Sequence, residues 1–308
     1  MKLPRETRDA LYWAIVSLGF TATGWAGATT ERVPQVPSIP AAERPTVKHF
    51  PTALAALEEV LRTPARVLAF GEYHQTTSTT SIRSSLARFS DELLPAVAGV
   101  ATDLVVETWV STGACGAQEK KVDKAIETTT ERPPETENEI VTLLKRAKAS
   151  GVAPHILAMS CKDYRFVTDR KGQTYFAKML RLTRDRLQQE VLRWLDQPSA
   201  RAGLAHRTVA IYGGALHNDL YPAAEDKPYA FGPTLFAKAK GEYLEVDLFV
   251  PEYIADDKRL AQESWFPAFK VNMNATDALL IRRSERSFVI LVPRSKRPTS
   301  GPIRTSAP

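Results

Sequence analysis

The chain has 308 residues, 44% hydrophobic and 25% charged, enough apolar side chain to close one core and too much for a low-complexity or disordered chain. Its net charge of +6 is carried by scattered basic residues. The densest group, Arg294, Lys296, Arg297 and Arg304, lies in a Pro/Ser tail without interleaved aromatics, so no nucleic-acid partner is expected.

Residues 1–28 read as an export signal. A polar start with Lys2, Arg5 and Arg8 leads into a mostly apolar run from Leu11 to Ala22, and Ala26-Gly27-Ala28 offers a small-residue cleavage site. The mature chain is therefore expected to be periplasmic or secreted, meeting a membrane only through that signal. No cysteine follows the apolar run, so a lipid anchor is not expected. Residues 29–48, with Pro34, Pro37, Pro40 and Pro45, read as an extended linker. A single domain over 49–293 follows, and residues 294–308 read as a disordered tail.

Within the domain, helical patterns alternate with short apolar runs, which predicts an α/β fold: a mostly parallel central sheet flanked by helices, with a C-terminal antiparallel hairpin. Phe50 to Arg62 places Leu54, Leu57, Val60 and Leu61 on one helical face. Val67 to Phe70 is an unbroken apolar run, the pattern of a strand buried on both faces, and it stops in Gly71-Glu72-Tyr73-His74. Ser81 to Leu94 follows as an amphipathic helix with Pro95 as its expected end. Thr102 to Val110 reads as a second strand, with Glu107 set directly after its apolar residues. Ser111 to Asn138 is dense in charge and poor in core candidates, so a lid or insertion is expected there.

Glu139 to Ser150 then reads as a helix stopped by Gly151. Pro154 to Met159 is a third strand, and Thr174 to Leu195 a long amphipathic helix. Arg207 to His217 repeats the earlier arrangement, an apolar run ending in Gly214-Ala215-Leu216-His217. Tyr243 to Val250 and the pair Ala278–Arg282 and Ser287–Val292, joined across Arg283 to Arg286, complete the sheet.

Functional groups in open α/β sheets collect at the carboxyl ends of the strands. Two glycine-x-x-histidine loops and two carboxylates are predicted at that edge: His74, His217, Glu72 and Glu107. Imidazole and carboxylate are ligands of zinc and related divalent ions, and His74, His217 and Glu107 would leave an open position for a water made acidic by the metal. The same four groups could also act without metal, a glutamate orienting a histidine that takes a proton from water. Either route is hydrolysis of a small-molecule or peptide substrate. Each residue also has a structural reading: Glu107 could pair with Arg83, and Glu72 could serve the positive end of the following helix. His49, His155 and His206 fall at element beginnings, at the opposite edge, and are expected to be structural.

Gly71-Glu72-Tyr73-His74, the strand-end Glu107 and Gly214-Ala215-Leu216-His217 resemble the signature of the superfamily joining ChaN-like haem-binding lipoproteins, Tiki proteases, TraB-type proteins and erythromycin esterases. The resemblance covers about Val67 to Val292, its specific part being the two loops and Glu107. It implies an α/β fold with both loops facing one cleft, and a function among metal-dependent proteolysis, ester hydrolysis and haem binding. The alternative to a hydrolase is thus a haem- or iron-binding protein, with Tyr73 as an axial ligand. The chain departs from the ChaN-like lipoproteins in lacking a lipid-acceptor cysteine.

Cys115 and Cys161 are the only cysteines. Each follows a predicted strand by a few residues, which puts both thiols at one edge, and export would supply an oxidising compartment; a disulfide between them is expected.

Overall fold

The computed structural model describes residues 45–113, 115–168, 174–199 and 206–295. The segment read as an export signal and most of those read as linker and tail lie outside the described residues. One mixed sheet of eight strands organises the rest, in the order β1-β7-β8-β6-β2-β5-β3-β4. In chain order these are β1 (Thr46–Phe50), β2 (Val67–Glu72), β3 (Asp103–Ser111), β4 (Ala153–Met159), β5 (Val209–Gly214), β6 (Tyr243–Phe249), β7 (Ala278–Ser284) and β8 (Ser287–Leu291). Strands β8, β6, β2, β5, β3 and β4 run parallel. β7 is antiparallel to both β8 and β1.

The central strands are apolar throughout because helices cover both their faces. Every residue of β2, β5 and β6 is buried. Leu68, Phe70, Tyr212 and Val246 meet the layer of α1 (Ala53–Leu61), α2 (Ser85–Arg88), α3 (Leu94–Val100) and α5 (Glu135–Ala149). Val67, Ala69, Val105 and Ile211 meet the opposite layer, built from α4 (Ala117–Thr130), α6 (Cys161–Val167), α7 (Phe176–Leu195) and α9 (Gly232–Lys238). Between β5 and α9 lies the short α8 (Ala215–Asn218); α10 (Pro251–Ile254) and α11 (Phe266–Val271) close the β7 end with Trp265, Phe266 and Phe269.

Three departures from the sequence reading have physical causes. The sheet begins at Thr46, inside the segment read as linker, because β1 is an edge strand with Thr46, Lys48 and His49 exposed, and so lacks an apolar signal. Pro95 does not end a helix. The chain widens into a π-helical segment over Phe89–Leu93, where the Leu94 amide donates to the Phe89 carbonyl, and Pro95 falls in the first turn of α3, where no amide hydrogen is needed. The charged segment after β3 is largely helical: α4 buries Val122 against the core and keeps its charges outward.

The Cys115–Cys161 disulfide is formed, with the Cα atoms 5.1 Å apart. It ties the entry to α4 to the first residue of α6. No helix among the described residues is long and apolar enough to cross a membrane.

Candidate functional site

Parallel pairing sets Glu72 directly opposite Gly214, so both glycine-histidine loops leave the sheet at one edge. Glu107 reaches the same edge by a different device. Val106 of β3 pairs with Ile156, but the next pair is Trp109 with Leu157, so Glu107 and Thr108 are extra residues that bulge from the ladder. A bulge re-aims a side chain, and here the Glu107 carboxylate lies over β5, where Oε2 accepts from the Gly214 amide at 2.6 Å. That approach needs Gly213, and the neighbouring Gly214 makes room for His74. A Cβ on Gly213 would stand 2.5 Å from Glu107 Oε2, and one on Gly214 would stand 3.0 Å from His74 Nε2.

The histidines are held by opposite neighbours. His74 Nδ1 faces Glu72 Oε1 at 2.7 Å, and the other oxygen of Glu72 accepts from the Tyr212 hydroxyl at 2.5 Å. Burial, and then the charge of Glu72, push the Tyr212 phenol well above its ordinary value, so it remains a donor. Buried His217 directs Nδ1 to the Tyr229 carbonyl at 2.7 Å. That bond assigns the proton of the neutral ring to Nδ1 and leaves Nε2 as an acceptor. Nε2 faces Glu107 Oε1 across 3.8 Å. Burial pushes the Glu107 carboxyl up, but once His217 and His74 are protonated their charges, with Arg132 and the Gly214 amide, outweigh it and hold the group below the usual carboxylate range.

Arg132 was not singled out by the sequence. It stands between α4 and α5 and brings Nη2 to 2.5 Å from His74 Nε2 and 2.7 Å from Nδ1. The signal for it was faint: one arginine before Pro133-Pro134 in a charged segment. Glu139 of α5 also faces this space; it accepts from the Ser84 hydroxyl at 2.6 Å, and its carboxyl is raised by burial. Glu72, His74, Arg132 and Glu139 line a cavity of about 10 Å³, the size of a single water.

His217 is anchored from below. The next residue, buried Asn218, donates to the Ala69 carbonyl at 3.2 Å and to Asp247 Oδ1 at 3.0 Å, while the Tyr243 hydroxyl donates to its carbonyl. Gly71 makes room for this junction, since a Cβ there would stand 2.5 Å from both Asn218 Oδ1 and Asp247 Oδ1.

The structure thus brings Glu72, His74, Glu107 and His217 to one strand edge. Arg83 is not the partner of Glu107; it pairs with Asp91 and Glu92. Tyr73 turns away, its hydroxyl donating to Asp257 at 2.8 Å and its ring packing beside the Trp265 cluster. His155 pairs with Asp103 and stacks on Trp194, and His49 pairs with Asp277, both structural positions.

The expected metal set fits poorly. Among the described residues no three His, Cys, Asp or Glu side chains converge as metal ligands, and the Arg132 guanidinium stands at the His74 nitrogen that a metal would need. The haem fit is also poor, because the one tyrosine expected as an axial ligand, Tyr73, is committed to Asp257. No family model, curated protein or solved structure matches the chain.

Proposed function

We propose that the chain is an exported hydrolase of the two-GxxH type, cleaving an ester or amide bond in a small-molecule or peptide substrate with water activated between Glu107 and His217. One observation carries the reading: His217 Nε2 and Glu107 Oε1 are both acceptors and face each other across 3.8 Å. Two acceptors at that separation suit a water that donates one hydrogen to each. Glu107, kept ionised by the Arg132 charge and the Gly214 amide, orients the water, while neutral His217 takes its proton as general base, a role worth about 10²–10⁴-fold. Glu107 then stabilises the imidazolium that forms. Glu72 and Tyr212 fix the His74 ring at the other wall of the cleft.

The Cys115–Cys161 bridge supports the export half of the reading, because such pairs persist in oxidising compartments. The test is hydrolysis of a panel of uncharged p-nitrophenyl esters and short peptides by the mature chain. Turnover that falls by two orders of magnitude or more in His217→Gln is the expected result. No turnover on any member, together with a stoichiometric Soret band on haem titration, would favour the haem-binding alternative instead.

A further inference from the structure

Arg132 sits in the cleft with its charge largely unspent. A partly buried arginine beside carboxylates ordinarily forks onto one of them, yet the nearest described carboxylate oxygen, Glu72 Oε1, is 4.0 Å from Nη2. Nη2 meets the His74 ring, and the buried Nε has no hydrogen-bond partner among the described residues. The backbone that carries it is also held in place. Pro133 and Pro134 stiffen the chain after it, and the Glu131 carbonyl before it accepts from the Thr77 amide at 2.8 Å, tying the connection to the loop that follows His74. Its field reaches Glu107, whose carboxyl it helps to lower.

A cation with an unpartnered donor close to the His74 and Glu107 groups is what developing negative charge in acyl transfer requires. Resting on the hydrolase reading above, we infer that Arg132 is a catalytic residue that receives the carbonyl oxygen of the substrate. The water proton passes to His217 Nε2 as the water oxygen bonds to the carbonyl carbon, and the π pair moves onto the carbonyl oxygen against the guanidinium. On collapse that pair re-forms the carbonyl, the bond to the leaving oxygen or nitrogen breaks, and the proton held on His217 passes to the leaving group. Water and ester become acid and alcohol.

The same geometry sets the substrate class. Glu72 and Glu139 both line this space, so an acyl group that is itself anionic meets like charge, whereas an uncharged ester or amide needs only the single cation. The substrate is therefore an uncharged acyl compound.

Arg132→Ala should lower kcat on an uncharged p-nitrophenyl ester about 10²–10³-fold with KM little changed and far-UV circular dichroism intact. Added guanidinium, at concentrations that leave the fold intact, should restore part of the lost rate, a rescue that a merely structural arginine would not show. Arg132→Lys, which keeps the charge and the packing of the stem, should fall between the two and serves if the alanine variant does not fold. Wild-type turnover with kcat unchanged in both variants would overturn this inference alone. A wild-type chain that hydrolyses nothing would overturn it together with the hydrolase reading.

Discussion

The close approach of Glu107 to β5 can be tested by a single methyl group. In Gly213→Ala the new Cβ would stand 2.5 Å from Glu107 Oε2 and 2.9 Å from Glu107 Cβ, about 1 Å inside ordinary contact. Gly213 does not have a left-handed φ, so the perturbation is steric. Overpacking of this kind costs about 1–3 kcal/mol, and a carboxylate pushed off the Gly214 amide loses a charge-assisted hydrogen bond worth about 1.5–3 kcal/mol. A displacement near 1 Å in the group that orients the water lowers turnover about 10²-fold. Urea denaturation and ester hydrolysis, measured on the same preparation, read both effects. Gly99→Ala is the control: an added Cβ meets nothing within 4 Å in α3, and the change should stabilise by about 0.5–1 kcal/mol without touching activity. Wild-type stability and turnover in Gly213→Ala would refute the packing of Glu107 on β5.

Three further outcomes are expected. Burial pushes the Asp247 carboxyl up from 3.8 to about 7, with Arg283 and Asn218 opposing and Asp219 and Glu263 adding to the rise. Folding therefore takes up a proton in that window, so stability should fall as pH rises from about 4 to 7; Asp247→Asn should flatten that part of the profile, and parallel profiles would contradict the assignment. Replacing both Cys115 and Cys161 by serine opens a loop of 46 residues and should cost up to about 4 kcal/mol in the chain-entropy model, read as a lower urea midpoint with activity retained below it; an unchanged midpoint would speak against the tether. Mass spectrometry of the mature chain should find its first residue near Thr29, and an intact Met1 on most of the protein would contradict export.

Where the sequence was legible, one pattern had to satisfy one requirement. Val67 to Phe70 and Val209 to Tyr212 are apolar without interruption because helices cover both faces of β2 and β5, and the glycines that follow are needed where Glu107, His74, Asn218 and Asp247 crowd the backbone. The edge positions of Glu72, His74 and His217 follow from that register, whereas Glu107 is delivered by the bulge in β3. What the pattern hid was set by tertiary contact. β1 is an exposed edge without apolar alternation, and α4 needs only Val122 and flanking half-buried residues to dock, so its charges dominate the sequence signal. Arg132 and Tyr212 reach the site through α-layer packing and strand register, which no local spacing encodes. Tyr73, adjacent to His74 in sequence, faces Asp257 instead of the cleft.

The central claim is that Glu107 and His217 hold one water between them. Hydrolysis of an uncharged ester by Glu107→Gln, His217→Gln and the double variant tests it most directly, since residues acting on a single water are not additive. Each single change should cost about 10²–10⁴-fold in kcat, and the double change no more than the worse single one. Losses that multiply in the double variant, or single variants that keep the wild-type rate, would contradict the shared water.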